Sequence, residues 1–406
     1  MKSRKNRHLK SHSKSHIKRP TKKKTTKPTF HLKKHLYHTQ PYDTTIKMGT
    51  YHGYIKNRFE DELKNDLNIV GDFYLPKTDT VVPQEFTWTN VVDHKYYPKI
   101  KGNFSNPIQN QHSPIYCGCC WIINSLDVYA SYMNIYNRNH DYAKPAVQFS
   151  TQEVLNWFVK HKDKTCVTGG SPFEIGMYLL AFNVNYESNN TFLANDKISN
   201  YDRTHFGTPH QCEKWGKNIK TSHIDQNMHN VHNSLGIECI VDRPYDNNKA
   251  KGFLYVYQYD EMVIKQLIYL NGAITTCVAS DSITPYRSGI VGYNTIKGVK
   301  DKKTDHLISI VGWGEERGSK GKSIKYWIAK NSWGQYWGEE GYFRIIMNKN
   351  YLGIETVLMQ FCFYDKNFKF KDLFTLVKKS VPHSKYFKDA HTIKYTNISI
   401  ANSTHK

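Results

Sequence analysis

The chain has 406 residues, with 57 Lys or Arg against 35 Asp or Glu and a formal net charge of +22. That length exceeds one typical domain, and with no run of eighteen apolar residues a transmembrane helix is not expected. The charge is unevenly placed: residues 1–40 carry fourteen Lys or Arg and no acid, residues 366–406 carry nine Lys against two Asp, and the stretch between is left near +1. A nearly neutral body between polycationic ends excludes a chain that is basic throughout.

Residues 1–40, rich in Lys, His, Ser and Thr, cannot bury enough apolar surface to offset chain entropy, and read as a disordered basic tail. No apolar stretch follows the basic start, so a secretory signal is not expected. Such a tail suits attachment to nucleic acid, an acidic membrane face or another polyanion, and serves equally as a solubilising or targeting extension. Residues 41–83 have more order, with a helix expected from Lys56 to Val70. The globular body is expected over 84–365, followed by a second basic tail over 366–406.

The segment Gln111-His112-Ser113-Pro114-Ile115-Tyr116-Cys117-Gly118-Cys119-Cys120-Trp121 leads into apolar residues at helical spacing, Ile122, Ile123, Leu126, Tyr129, Met133 and Tyr136. Cys120 is thereby expected at a helix N-terminus, where the partial positive charge favours a thiolate. Further helices are expected over 150–159 and 171–182. The loop-like stretch 204–234 holds His205, His210, His223, His229, His232 and Cys212, whose spacings fit no closed zinc pattern. Strands are expected over 263–269, 273–278, 306–311, 326–330 and 342–347.

His306 heads the buried strand and Asn331 lies between two others, beside Trp333 and Trp337. A thiol, an imidazole, an amide that fixes the imidazole tautomer and an amide donor at Gln111 make the parts of a nucleophilic acyl-transfer site. A metal or iron-sulfur site at Cys117, Cys119 and Cys120 is the rival, and it leaves Gln111, Trp121, His306 and Asn331 without a role.

These blocks, and above all Asn331-Ser332-Trp333-Gly334, resemble the papain-like cysteine peptidases, over roughly Phe86 to Tyr364. The resemblance implies an α+β fold of two lobes, one helical and one β-rich and barrel-like, with the active-site cleft between them. It implies Cys120 as nucleophile, His306 as general base and acid, and Asn331 as orienting residue. Gln111 and the Cys120 N–H would form the oxyanion hole, and Trp333 a lid on the His-Asn hydrogen bond. Cys166-Val167-Thr168-Gly169-Gly170 resembles the substrate-binding loop, one residue longer than usual. The His112-Ser113-Pro114 insert resembles that of a carboxypeptidase branch of the cathepsins, in which His112 would hold a substrate carboxylate. Residues 41–83 occupy the place of a propeptide that covers the cleft, or of a spacer.

Family correspondence also suggests disulfides Cys117–Cys166 and Cys277–Cys362, although a reducing compartment would leave them as thiols. No cofactor or metal is required. Peptide or protein substrates and a monomeric state are implied. Lys outnumbers Arg 47 to 10, which points to an AT-rich genome and favours an intracellular or virion-packaged setting over conventional secretion. A catalytically silent copy of the fold, held on a polyanion by its tails, is the alternative function.

Overall fold

The computed structural model describes Gly53 and residues 67–139, 147–182, 184, 186–187, 191–194, 196, 229–232, 238–241, 250, 252–257, 260–300, 303–318, 321–362 and 373–379. All belong to the second of two compact units, Lys47–Lys406. The basic tail 1–40 and the histidines at 205, 210 and 223 lie outside the described residues. Among those described, no helix is long and apolar enough to cross a membrane.

Three helices pack together. Helix α1, Cys120–Asn139, is buried on nearly every side, with Trp121, Ile122, Val128, Tyr129 and Ala130 all at 0% exposure. Helix α2, Thr151–Lys162, starts where the Ser150 hydroxyl accepts from Glu153 N–H, and it ends at Asp163 in a left-handed conformation. Helix α3, Pro172–Ala181, opens with a reciprocal cap between Ser171 and Glu174 and with Pro172 in its first turn.

The strands are β1 (Leu67–Pro76), β2 (Phe86–Thr87), β3 (His229–His232), β4 (Glu238–Val241), β5 (Gly252–Tyr257), β6 (Ile274–Val278), β7 (Ile290–Val291), β8 (His306–Arg317), β9 (Ser323–Lys330), β10 (Tyr342–Ile346), β11 (Val357–Cys362) and β12 (Phe374–Lys379). One sheet runs β12-β1-β5-β11-β6-β8-β9-β10-β7, with β2 beside β8, while β3 and β4 form a separate pair. Neighbours in the large sheet are antiparallel except β10 with β7. Side chains alternate between its faces: Leu307 and Val311 join a core with α1, and Ile308 and Ile310 join the core on the other face.

Several expectations are corrected. Residues 263–269 are helical, within α4 (Glu261–Asn271), because the Asp260 carboxylate accepts from Met262 and Val263 N–H and caps the run. Residues 67–70, expected as the end of a helix, form the start of β1 and pair with β5, while β12, which pairs with the rest of β1, lies inside the stretch read as a C-terminal tail. The pairing Cys277–Cys362 does not fit the ladder. Leu358 faces Thr276, so Cys362 lies five positions along the strand from Cys277's partner, about 16 Å away, whereas a disulfide needs its Cα atoms within about 7 Å. Cys117–Cys166 is bonded, so this pair does not stay as thiols.

Candidate active site

Cys120 is the first residue of α1, and the Cys119 carbonyl accepts the helix's opening bonds from Ile122 and Ile123. The Cys117–Cys166 bond, across a separation of 49 residues, ties the entry of α1 to the loop carrying Gly169 and Gly170. In the chain-entropy account such a closure is worth about 4 kcal/mol. Gly118 N–H donates to Cys166 O at 2.8 Å and completes the junction.

His306 opens β8, opposite Val278 of β6, and Asn331 follows the last residue of β9. Because β8 and β9 pair antiparallel from Ser309–Lys330 onward, both side chains emerge at the same end of the sheet. His306 Nε2 and Asn331 Oδ1 are 2.8 Å apart, and Asn331 Oδ1 also accepts from Ser332 N–H. An amide oxygen there requires Nε2 to carry hydrogen, which assigns Nδ1 as the basic nitrogen of a neutral ring. Leu307 N–H points at Cys120 Sγ across 3.4 Å, so the nucleophile meets the backbone next to the histidine. Trp333 stacks on His306 with centroids 4.8 Å apart and 28° between planes, and Trp337 meets Trp333 edge-on.

Gln111 is held by a short ladder in which Gln111 N–H donates to Ser332 O and Gly334 N–H to Gln109 O. Its Oε1 accepts from the Ser332 hydroxyl at 2.7 Å, and Nε2 donates to Cys117 O at 3.0 Å. One of the two amide hydrogens is thereby engaged and the second can serve an oxyanion. His112 is partly buried, stacked on Trp333 at 5.8 Å and tilted against Tyr116 at 4.8 Å.

The expected thiolate is not what this arrangement favours. Cys120, His306, Gln111 and Asn331 are all within 1% of fully buried. Burial pushes the Cys120 thiol up to about 12; the Leu307 N–H acts against that shift and the Asp305 carboxylate adds to it. Helix position alone loses to desolvation here. Cys119 is a buried thiol, also pushed up by burial and by Cys120.

Gly53 is the residue that sequence reasoning missed. Its carbonyl accepts from Gly170 N–H at 2.8 Å, and its Cα lies where a Cβ on Gly118 would be 3.2 Å away. A Cβ on Gly53 itself would sit on the Gly118 carbonyl, 2.6 Å from its carbon, and one on Gly169 would sit 2.7 Å from the Gly53 carbonyl carbon. Gly53 has φ +93°, and Gly170 has no room for a side chain because the Trp121 indole lies 2.7 Å from its Cβ position. Gly53 therefore lies against the glycine loop in backbone contact. No local pattern around residue 53 signals this.

The description "Papain family cysteine protease" matches residues 92–361. Cathepsin Z of Onchocerca volvulus is 30% identical over 111 residues, 27% of this chain and 34% of that protein, so the match spans about a third of the relative's length. Among solved structures, digestive procathepsin L2 from Tenebrio molitor larval midgut aligns with a TM-score of 0.47 and 21% identity over 76% of this chain and 73% of that one. The bromelain protease from Ananas comosus aligns with a TM-score of 0.43 and 22% identity over 70% and 100%.

Proposed function

The chain belongs to the papain family of cysteine proteases, and from that premise we propose that it hydrolyses peptide bonds through an acyl-enzyme on Cys120. The observation that carries this reading is the meeting of Cys120 Sγ with the Leu307 N–H, at the head of α1, beside a histidine already oriented by Asn331. Sγ attacks the scissile carbonyl carbon and its proton passes to His306 Nδ1. The oxyanion lies between the second Gln111 amide hydrogen and the Cys120 N–H. His306 then protonates the leaving amine, and the thioester is cleaved by water that gives its proton to the same nitrogen. Asn331 keeps the ring aimed, and Trp333 shields its hydrogen bond from water.

The segment 41–83 is read as a cover by occupancy, a reading supported by Gly53, whose carbonyl takes the backbone donor at Gly170 that a substrate would use. Desolvation under that cover keeps Cys120 as a thiol, and a thiolate–imidazolium pair forms once the cleft opens.

The test is labelling of the opened chain by an irreversible papain-type epoxide. Label on Cys120, lost with hydrolysis in Cys120→Ala and largely kept in Cys119→Ser, is expected. No label would leave the silent binding protein as the better account, and equal loss from both substitutions would undo the assignment.

A finer reading adds carboxypeptidase preference, supported by the contacts of His112 with Tyr116 and with Trp333, the ring that also stacks on His306. An imidazole donor there suits a carboxylate just past the scissile bond. Faster cleavage of a peptide acid than of its amide, with the difference abolished in His112→Ala, is expected; equal cleavage by the unmodified chain makes it an endopeptidase. The basic tail 1–40 is assigned to polyanion binding, so its removal should lower heparin retention and the salt dependence of that retention.

A further inference from the structure

Leu307, the residue after His306, is held in an unusual way. Strand pairing of β8 with β9 begins only at Ser309, so on that side Leu307 has no strand neighbour. Its buried peptide groups must still be satisfied, and helix α1 supplies both partners. The N–H meets Cys120 Sγ at 3.4 Å, and the carbonyl accepts from Asn124 Nδ2 at 2.7 Å. Cys120 and Asn124 are one helical turn apart on one face, so the two side chains grip Leu307 at two points.

Asn124 is itself fixed. It is 2% exposed, its Nδ2 also lies 3.1 Å from Cys120 O, and its Oδ1 accepts from the Ser309 hydroxyl at 3.2 Å. The same amide nitrogen is 3.4 Å from Ser332 Oγ, whose hydrogen goes to Gln111 Oε1. One buried amide therefore touches the backbone of the nucleophile, the strand that carries the base and the serine that orients Gln111.

We infer that Asn124 is a positioning residue, which sets the approach of His306 to Cys120 by holding Leu307 one turn along α1. Without its amide hydrogens the Leu307 carbonyl is buried with no donor, and the head of β8 shifts to find one, taking His306 with it. A displacement near 1 Å in such a pair costs on the order of a hundredfold in rate, while substrate contacts stay in place. The effect falls on kcat rather than KM.

The inference rests on the peptidase reading, and the experiment separates the two. The opened chain and its Asn124→Ala, Asn124→Leu and Ser309→Ala counterparts are titrated with the irreversible epoxide, and kcat per labelled site, KM and the pH profile of Cys120 alkylation by iodoacetamide are measured. Expected for both Asn124 variants is a fall in kcat per site of about tenfold or more, KM within about twofold, and an acid limb of alkylation moved upward by about one pH unit. Ser309→Ala, which removes only the donor to Asn124 Oδ1, shifts the same quantities the same way by less, and decides the matter if the Asn124 variants do not fold. A merely structural role lowers the folded fraction and leaves kcat per labelled site and the alkylation profile unchanged; that result overturns the inference. Failure of the opened chain without these substitutions to label at Cys120 would instead sink the peptidase reading.

Discussion

Replacing Gly53 by Ala places a methyl group against backbone that has nowhere to go. The new Cβ lies 2.6 Å from the Gly118 carbonyl carbon and 3.0 Å from its Cα. Gly118 is pinned by its bond to Cys166 O and by the disulfide one residue earlier. At φ +93° alanine adds a conformational cost of about 1–2 kcal/mol, and loss of the Gly170–Gly53 hydrogen bond about 1 kcal/mol more. Together about 2–3 kcal/mol is removed from the closed state, which at 1.36 kcal/mol per factor of ten raises the open fraction about 30- to 150-fold. The assay is the rate of epoxide labelling of Cys120 in the intact, uncleaved chain, followed by mass spectrometry. Gly102→Ala is the control, since Gly102 also has positive φ, +103°, but nothing lies within 4 Å of its Cβ position. An unchanged labelling rate in Gly53→Ala, or an equal rise in Gly102→Ala, would refute the reasoning.

His306→Ala should lower kcat far more than Asn331→Ala, because one removes the proton carrier and the other only its aim; the reverse ranking in steady-state kinetics would reassign the roles. Glu187 gives a pH signature. Burial raises its carboxyl from 4.5 to about 7, with the Phe192 and Thr151 N–H groups acting against the shift. The folded chain thus keeps a proton that the unfolded chain gives up, so this contribution to stability is complete below pH 4.5 and is lost as pH rises through 7. Thermal melts should show a fall in Tm over that window that is flattened in Glu187→Gln.

The chemistry was legible because each reacting group sits in a short segment with its own signature: Cys120 before an amphipathic helix, His306 before a β-branched run, Asn331 before Trp333. What failed was length and distance. Val263–Tyr269 has strand-like composition, and only Asp260 three residues earlier announces a helix. Cys277 and Cys362 lie on neighbouring strands, and the register that separates them is a tertiary property. Burial of Cys120, which pushes its thiol up against the pull of the helix N-terminus, is set by the packing of distant segments and is likewise invisible in the local sequence. Asn124 had a signal that could have been used, its position one turn beyond the nucleophile.

Strand β1 is divided between two neighbours, Leu67–Gly71 pairing with β5 and Gly71–Pro76 with β12. On the cover reading proposed above, a cut between Gly53 and Leu67 frees the cleft and breaks no ladder among the described residues. A cut beyond Pro76 that released β1 would strip a partner from β5 and from β12 together, baring rows of N–H and C=O groups that recruit strands from other molecules. The window for safe processing is therefore the stretch from residue 54 to residue 66. A chain trimmed there carries its own edge protection, whereas a chain trimmed later trades an open active site for a surface that aggregates.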